Sequence, residues 1–305
     1  MKALVNAPGT DEFVRLTDVH EPTAGPHDAL IRVHASSLNR GELRLLATRP
    51  AGWRPGQDIA GVVEKAAEDG SGPSVGTRVV ALADDSGWAE LVAVDTDRIA
   101  VLDDRVSFGD AATLPIAGTT ALRTLRLGGS LLGKRVLVTG AAGGVGRYQV
   151  QLAALQGARV TAVASDKHEK VLLKLGAAEV VSSPAAAEGT FDLITESVGG
   201  ESLSEAIGRV APHGLIVVFG LSSGKATPFA FRDFAPGHEN ARIQIFMSYA
   251  SGPDFGADLK VLSDLVADGS LTAQVGLEVP WTELATAAQS LSARGVDGKA
   301  VLQIV

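Results

Sequence analysis

The sequence predicts an α/β protein, a doubly wound parallel sheet joined to a β-rich, barrel-like domain. Three observations predict it. Short strand-like runs and turn clusters fill the first hundred residues, with little helical periodicity. Strand and helix patterns then alternate from Arg135 onward, as parallel β-α-β units do. The alternation opens on Arg135-Val136-Leu137-Val138-Thr139-Gly140-Ala141-Ala142-Gly143-Gly144-Val145-Gly146, running into a helical pattern over Tyr148–Leu155.

Taken in order, the first strands are Ala3–Val5, Ala29–Val33, Gly61–Glu64, Arg78–Leu82 and Leu91–Val94. Each is a β-branched or apolar run, cut off by turn chemistry such as Pro8-Gly9, Ala24-Gly25-Pro26 and Asp69-Gly70-Ser71-Gly72-Pro73. Frequent short strands of this kind predict a compact barrel. The pattern changes after about Asp104. Ser107 caps a short helix, with Asp110 three residues on, and Thr119–Leu127 reads as another. Strands follow at Val136–Val138, Arg159–Val163, Val180–Val181, Leu193–Thr195, Leu215–Phe219 and Ile243–Phe246. Helices fall at Arg147–Leu155, Glu169–Leu175 and Ser202–Val210, with a short piece near Phe231. Six strands match the two halves of a dinucleotide-type sheet. The tail reads as a helix over Asp254–Ala267, with Leu259, Leu262, Leu265 and Val266 on one side. A strand Gly276–Val279, a helix Trp281–Leu291 and a strand Lys299–Val305 complete it. The tail is expected to return to the first domain. Residues 1–110 and 250–305 then form one domain and 111–249 the other.

The bulk numbers narrow the function. A chain of 305 residues normally makes about two domains. Hydrophobic residues are 46% and charged residues 20%, the balance of a globular protein with a sizeable core. The net charge of −8 repels phosphate backbones and argues against nucleic acid. No stretch approaches the roughly 20 apolar residues of a membrane span, and no basic, apolar leader is read at the start. The expectation is a cytoplasmic protein with no membrane partner. Cysteine is absent, which removes disulfides, thiolate nucleophiles and Cys-ligated zinc together. His20, His27, His34, His168, His213 and His238 show no ligand spacing and read as solvated surface residues.

The glycine turn after a buried strand puts backbone N–H groups at a helix N-terminus, where a pyrophosphate binds. Gly140, Gly143, Gly144, Val145 and Gly146 carry this expectation; the alternative is a tight turn with no ligand. An acid on the adenosine ribose hydroxyls is expected roughly 20 residues after the first glycine in NAD-type sites. Here the second strand ends at Ala164, followed by Ser165-Asp166-Lys167. The hydroxyl of Ser165 and the ammonium of Lys167 suit a 2′-phosphate, while Asp166 opposes it. NADPH is favoured over NADH, and a plain helix-capping turn is the alternative.

With these residues in hand, the chain resembles the medium-chain dehydrogenase/reductase superfamily, and within it the zinc-free quinone oxidoreductase branch. The resemblance runs over nearly the whole chain. It is carried by Val138–Gly146, Leu114-Pro115-Ile116-Ala117-Gly118-Thr119-Thr120-Ala121, Asp58–Val63, Phe191–Gly200 and Gly298–Leu302, in that family's order along the fold. It implies a Rossmann sheet inserted into a GroES-like β-barrel catalytic domain. It also implies a homodimer, with Ile243–Met247 as an edge strand pairing across a two-fold. Where the zinc alcohol dehydrogenases carry Gly-His-Glu, this chain has Gly56-Gln57-Asp58. A glutamine and an aspartate do not rebuild a zinc site, so no metal is expected. Without a Lewis acid an unactivated alcohol is a hard substrate. Hydride delivery to a conjugated C=C is easier and needs positioning and hydrogen bonds to the oxygen. The resemblance therefore implies NADPH-dependent reduction of a quinone or an α,β-unsaturated carbonyl.

The same resemblance places Asn39 near the nicotinamide, holding cofactor or substrate oxygen, and gives Thr120 a nicotinamide contact. Val198 matches a position on the adenine side. Gly220 and Leu221 follow the fifth strand; Phe246, Met247 and Ser248 follow the sixth, near the nicotinamide end. Tyr148 belongs to the glycine-loop helix, which leaves Tyr249 as the better-placed candidate proton donor, with water as the alternative. Quinone reductases of the branch often carry a tyrosine after the third strand, and Val180-Val181-Ser182-Ser183 has none. Trp53 and Trp88 are candidates for the wall of a cleft for a flat substrate, or for the core. Two other readings stand beside the reductase: a nucleotide-binding protein of the same fold without turnover, and a pathway-specific enoyl reductase.

Overall fold

The computed structural model describes residues 1–10 and 13–304. The chain divides into two compact units, Met1–Thr119 with Pro253–Val305, and Thr120–Gly252.

The first unit begins with β1 (Lys2–Asn6), β2 (Val14–Asp18), β3 (Asp28–Leu38), α1 (Arg40–Thr48), β4 (Asp58–Lys65), β5 (Arg78–Leu82), β6 (Leu91–Asp95), β7 (Ile99–Val101) and α2 (Phe108–Ala112). A wide π-type turn over Leu114–Gly118 leads to α3 (Thr119–Arg126). The second unit continues with β8 (Arg135–Val138), α4 (Gly144–Leu155), β9 (Arg159–Val163), α5 (Glu169–Lys174), β10 (Glu179–Val181), β11 (Phe191–Glu196), α6 (Glu201–Ile207), β12 (Val210–Val218) and β13 (Arg242–Ile245). The tail adds α7 (Phe255–Ala267), β14 (Val275–Pro280), α8 (Leu284–Ser292) and β15 (Lys299–Gln303) to the first unit.

In the first unit β3 is the hub. It pairs antiparallel with β4, β6 and β15. Its burial alternates through Ala29, Ile31, Val33 and Ala35 and then becomes continuous over Ser36–Leu38, where β15 and β4 flank it. Alternation marks a strand with one wet face, and a continuous buried run marks one covered on both. The core gathers Ile31, Val33, Leu38, Ile59, Trp88, Val92 and Leu302.

The second unit is a six-stranded sheet in the order β10-β9-β8-β11-β12-β13, with every pairing parallel. Counted from β8, that order is the dinucleotide-fold order, with its switch point between β8 and β11. Leu137, Phe191, Ile194, Val210 and Ile216 form its core.

Several expected boundaries move. The glycine-loop helix starts at Gly144, not Arg147. The helix expected over Ser202–Val210 ends at Ile207, because Gly208 caps it, and Val210 already belongs to β12. Phe246 lies just beyond β13. Trp281–Glu283 is a 3-10 turn ahead of α8. The hairpin strand β2, the short β7 and the helix α1 had no counterpart in the sequence reading. Val305, at the end of the expected last strand, lies outside the described residues.

Candidate functional site

Loops after β8, β11 and β12 in the second unit meet around Gly140. Gly140 takes the left-handed conformation, φ 58°, and its carbonyl accepts the Gly143 N–H at 3.0 Å. A Cβ on Gly140 would come 2.5 Å from Ser197 Oγ, and one on Gly220 would come 3.0 Å from the Ser197 carbonyl oxygen. Helix α4 begins here, and the first N–H groups of a helix have no partner within it. A Cβ on Gly146 would meet the Gly140 carbonyl oxygen at 2.5 Å and Ala141 Cα at 2.6 Å. Backbone cannot yield as a side chain can, so position 146 admits only glycine without rearrangement.

Two charged residues missed by the sequence reading shape this cradle. Arg147 is buried, and its Nε donates to the Ala142 carbonyl at 2.9 Å, across the glycine turn. Glu196 is wholly buried at the end of β11. It accepts Thr139 Oγ1 (3.1 Å), Ser202 Oγ (2.9 Å) and the N–H groups of Val198 (3.1 Å) and Gly199 (2.9 Å). Thr139 Oγ1 in turn accepts the Ser197 N–H at 3.0 Å. One carboxylate thus ties the loop after β11 to the strand entering the glycine turn. Its only sequence signal is its place at a strand end, before a Gly-Gly pair.

The other expected residues fall as follows. Val198 and Gly220 are half-buried within the joined loops, whereas Leu221 is exposed. Ser165, Asp166 and Lys167 are exposed just past β9. Thr120 is buried, and its carbonyl accepts Thr124 Oγ1 at 2.7 Å. Gln149 Nε2 donates to that hydroxyl at 2.8 Å and Gln149 Oε1 accepts Thr195 Oγ1 at 3.1 Å, which links α3, α4 and β11. Phe246 is buried, with its N–H on the Val218 carbonyl at 2.8 Å. Met247 is exposed and Ser248 half-buried. Tyr249 is 80% exposed, and no hydrogen bond fixes its hydroxyl among the described residues. Tyr148 is fully buried in α4.

The first unit holds a second polar assembly around Asn39, at the junction of β3 and α1. Asn39 Nδ2 donates to Asp58 Oδ2 (2.9 Å) and Glu42 Oε2 (3.2 Å), while its Oδ1 accepts Lys299 Nζ at 2.6 Å. Lys299 Nζ also donates to Asp58 Oδ2 (2.9 Å) and the Leu38 carbonyl (3.0 Å), which uses all three of its N–H bonds. Asp58 further accepts Ser37 Oγ at 2.6 Å and the Ile116 N–H at 2.8 Å. Glu42 accepts the Asn39 and Gln57 N–H groups at 2.8 and 2.9 Å. Asp58, Glu42 and Lys299 are all buried. Burial, followed by the charge of Asp58, pushes the Glu42 carboxyl up to about 8; Lys299 and the bonds from Asn39 pull the other way.

The Asn39 amide expected to face cofactor or substrate is bonded within the protein. Both amide hydrogens are spent inside the protein, and one lone pair of Oδ1 is all that is left for a ligand. Of the two alternatives for Trp88 the structure shows the core: it is fully buried, whereas Trp53 is half-buried, with Arg49 5.6 Å over its ring. A cavity of about 520 Å³ on the same unit is lined by Arg32, His34, Glu90, Phe108 and Glu278 among others, and holds none of the expected site residues. His34 stacks on Phe108 there, with ring centroids 4.6 Å apart. Burial, and then Arg32 and Arg78, hold its pKa below the usual histidine value. Among the described residues no group of three His, Cys, Asp or Glu is arranged to hold a metal, and no helix is long and apolar enough to cross a membrane.

Comparison with known proteins agrees with this architecture. The family of alcohol dehydrogenase GroES-like domains matches residues 25–107, and that of zinc-binding dehydrogenases matches residues 144–266. A quinone oxidoreductase of Mus musculus is 29% identical over 317 residues, covering 96% of this chain and 95% of the mouse protein. The solved quinone oxidoreductase from Coxiella burnetii superposes with a TM-score of 0.87 at 26% identity, over 100% of this chain and 99% of that one. A mycobacterial protein solved in complex with NADPH has the same fold, with a TM-score of 0.87 at 24% identity over 100% of both chains.

Proposed function

Because the chain belongs to the medium-chain dehydrogenase/reductase superfamily, in its quinone oxidoreductase-like branch, and is an NAD(P)H-dependent oxidoreductase, we propose that it is a zinc-independent, NADPH-dependent reductase of quinones or α,β-unsaturated carbonyls. The observation that carries this reading is the cradle at the switch point, where α4 opens and a Cβ on Gly146 would strike backbone. A glycine there lets α4 pack directly on the turn, which aims the first N–H groups of the helix at a bound pyrophosphate. The relatives named for quinone reduction support the substrate class, and the NADPH-bound mycobacterial protein supports the cofactor.

In this reading the N–H groups of Gly144, Val145 and Gly146 hold the diphosphate, and Ser165 and Lys167 take the 2′-phosphate. Val198, Gly220 and Leu221 lie along the adenine and ribose side; Thr120, Phe246, Met247 and Ser248 lie toward the nicotinamide. Bound NADPH supplies the hydride. Glu196 and Arg147 do not touch the reactants but set the shape of the loops that do. Asn39 acts as a positioning residue, because its amide is held by Glu42, Asp58 and Lys299. The residues present do not fit zinc. Gln57 and Asp58 stand where the zinc enzymes carry histidine and glutamate, and Asp58 already has an ammonium group at 2.9 Å. A second cation beside Lys299 would face direct repulsion. The exposed, unanchored hydroxyl of Tyr249 makes water the better proton source.

The strand β13 stands at the sheet edge with all four residues exposed, Ile243 and Ile245 among them. An uncovered apolar edge invites pairing, and a homodimer joined there is part of the proposal. Light scattering should give about twice the mass of one chain. The central test is a screen of quinones and enones for NADPH consumption, beside calorimetric titration with NADPH and NADH. Tight NADPH binding with no turnover on any acceptor would leave only the non-catalytic reading.

A further inference from the structure

Arg54 lies on a segment of the first unit, next to Trp53 and three residues before Gln57. Main-chain bonds hold this segment on two sides. The Asn6 N–H donates to the Trp53 carbonyl at 2.7 Å, and the N–H groups of Ser86 and Trp88 donate to the carbonyls of Arg54 and Pro55 at 2.9 and 3.1 Å. Among the described residues, five shielded side-chain polar atoms have no hydrogen-bond partner, and four of them belong to Asn6, Arg54 and Trp88. Two are Arg54 Nε and Nη2. These form one edge of the guanidinium fork, the edge that grips a carboxylate through two parallel bonds. Trp88 Nε1 is a third unmatched donor. The adjoining carbon of its ring, Cδ1, lies against Gly56, where a Cβ would meet it at 2.5 Å.

Among the described residues no acceptor meets this edge. Asp85 is close enough for its charge to act on Arg54, but it makes no hydrogen bond to Nε or Nη2; its Oδ1 accepts Ser86 Oγ at 2.7 Å. Burial works against the Arg54 charge and lowers its pKa, with Asp85 offsetting part of the effect. Two shielded donors of a half-buried cation cost stability unless something supplies the acceptors. A neutral quinone or a plain enone offers single, uncharged carbonyl oxygens. A carboxylate offers two oxygens at the fork spacing together with the opposite charge.

We propose that Arg54 is a specificity residue that binds the carboxylate of a small anionic ligand through its Nε/Nη2 edge. On the reductase reading above, on which this extension rests, the ligand is a substrate, an α,β-unsaturated carbonyl compound bearing a carboxylate.

The experiment compares trans-β-acetylacrylate with its methyl ester, which keeps the enone and removes the charge. Binding to the protein without cofactor is measured by calorimetry, and NADPH oxidation is followed separately. The wild type should bind the acid about ten- to a hundredfold more tightly than the ester, the range for a charged, two-bond contact. Arg54→Gln should bring that ratio to about one. Arg54→Met should melt no lower than the wild type, since it removes an unpaired, desolvated charge. Equal binding of acid and ester, no binding of either, or a ratio that survives Arg54→Gln would each overturn the proposal. So would a lower melting temperature for Arg54→Met, which would make Arg54 a structural residue. Preferential binding of the acid with no NADPH oxidation would sink the reductase reading and leave the carboxylate site standing. Equal oxidation of both compounds, without a binding preference, would do the reverse.

Discussion

Glu42 gives the most direct handle on the buried assembly of the first unit. Its carboxyl is pushed from 4.5 up to about 8, first by burial and then by the charge of Asp58. In the unfolded chain it titrates near its ordinary value. Between those two pH values the folded state therefore binds more protons than the unfolded state. Stability from this group is fully present below about pH 4.5 and is lost as pH rises through about 8. A shift of that size corresponds to about 5 kcal/mol at most, at about 1.4 kcal/mol per unit. The slope expected between pH 5.5 and 8 is roughly 1 kcal/mol per pH unit. Glu42→Gln removes the titration. It also leaves one acceptor oxygen for three donors, the N–H groups of Asn39 and Gln57 and Asn39 Nδ2, an offset of about 1–2 kcal/mol that does not depend on pH. Trp53, Trp88 and Trp281 all lie in the first unit, so urea unfolding followed by tryptophan fluorescence reads that unit. Wild type should lose stability relative to Glu42→Gln as pH rises from 5.5 to 8. Two parallel stability curves across that window would refute the reasoning.

Three other outcomes are expected. Gly146→Ala should weaken NADPH binding by more than about tenfold in calorimetry, with circular dichroism unchanged, because its Cβ would sit 2.5 Å from the Gly140 carbonyl oxygen; unchanged affinity would remove the cradle from the cofactor site. Lys299→Met leaves Asp58 buried without its cation and should destabilise the first unit by about 3–5 kcal/mol, part of it recovered in Asp58→Asn/Lys299→Met. A double variant as unstable as the sum of its parts would show that the two groups are not coupled. Lys167→Ala should raise the Kd for NADPH about tenfold and leave that for NADH unchanged; equal effects on the two would place the 2′-phosphate elsewhere.

The second unit was legible because its pattern is regular. Short apolar strands alternate with helices, and the glycine spacing marks where the alternation begins. The first unit was less so. Helix α1 buries only Glu42 and Leu46, so it has almost no apolar stripe to read; its one signal is the Asn39-x-x-Glu42 spacing of a capping box. The assembly at Asn39 was invisible because its members are brought together by pairing of β3, β4 and β15, with Lys299 and Asp58 241 positions apart. Composition gives Lys299 no more weight than any other lysine. Trp88 was ambiguous for the opposite reason: an indole suits a cleft wall and a core equally, and only the sheet around it decides. Arg54 gave no sequence signal, since what singles it out is that its Nε and Nη2 have no hydrogen-bond partner among the described residues.

The charge balance of the first unit follows from how the chain closes. Residues 1–119 contribute Asp58 and Glu42 to the buried assembly, and the cation arrives only with Lys299 on β15, after the whole second unit has been traversed. Without Lys299 the two acidic side chains would share the site with no base between them, and charge on both would be costly. Docking of β15 therefore does two things at once. It completes the antiparallel pairing of Ala300–Gln303 with Ala35–Leu38, and it brings Lys299 Nζ to 2.9 Å from Asp58 Oδ2. Asp58 then takes three donors on one oxygen, from Ser37, Asn39 and Lys299, and the Ile116 N–H on the other. Such a carboxylate has no rotational freedom left. Ion pairs of this kind add little net stability over apolar packing, but they fix geometry. Here the geometry they fix is the end of β3 with Asn39 and the wide turn at Ile116, from which the chain runs into Thr120.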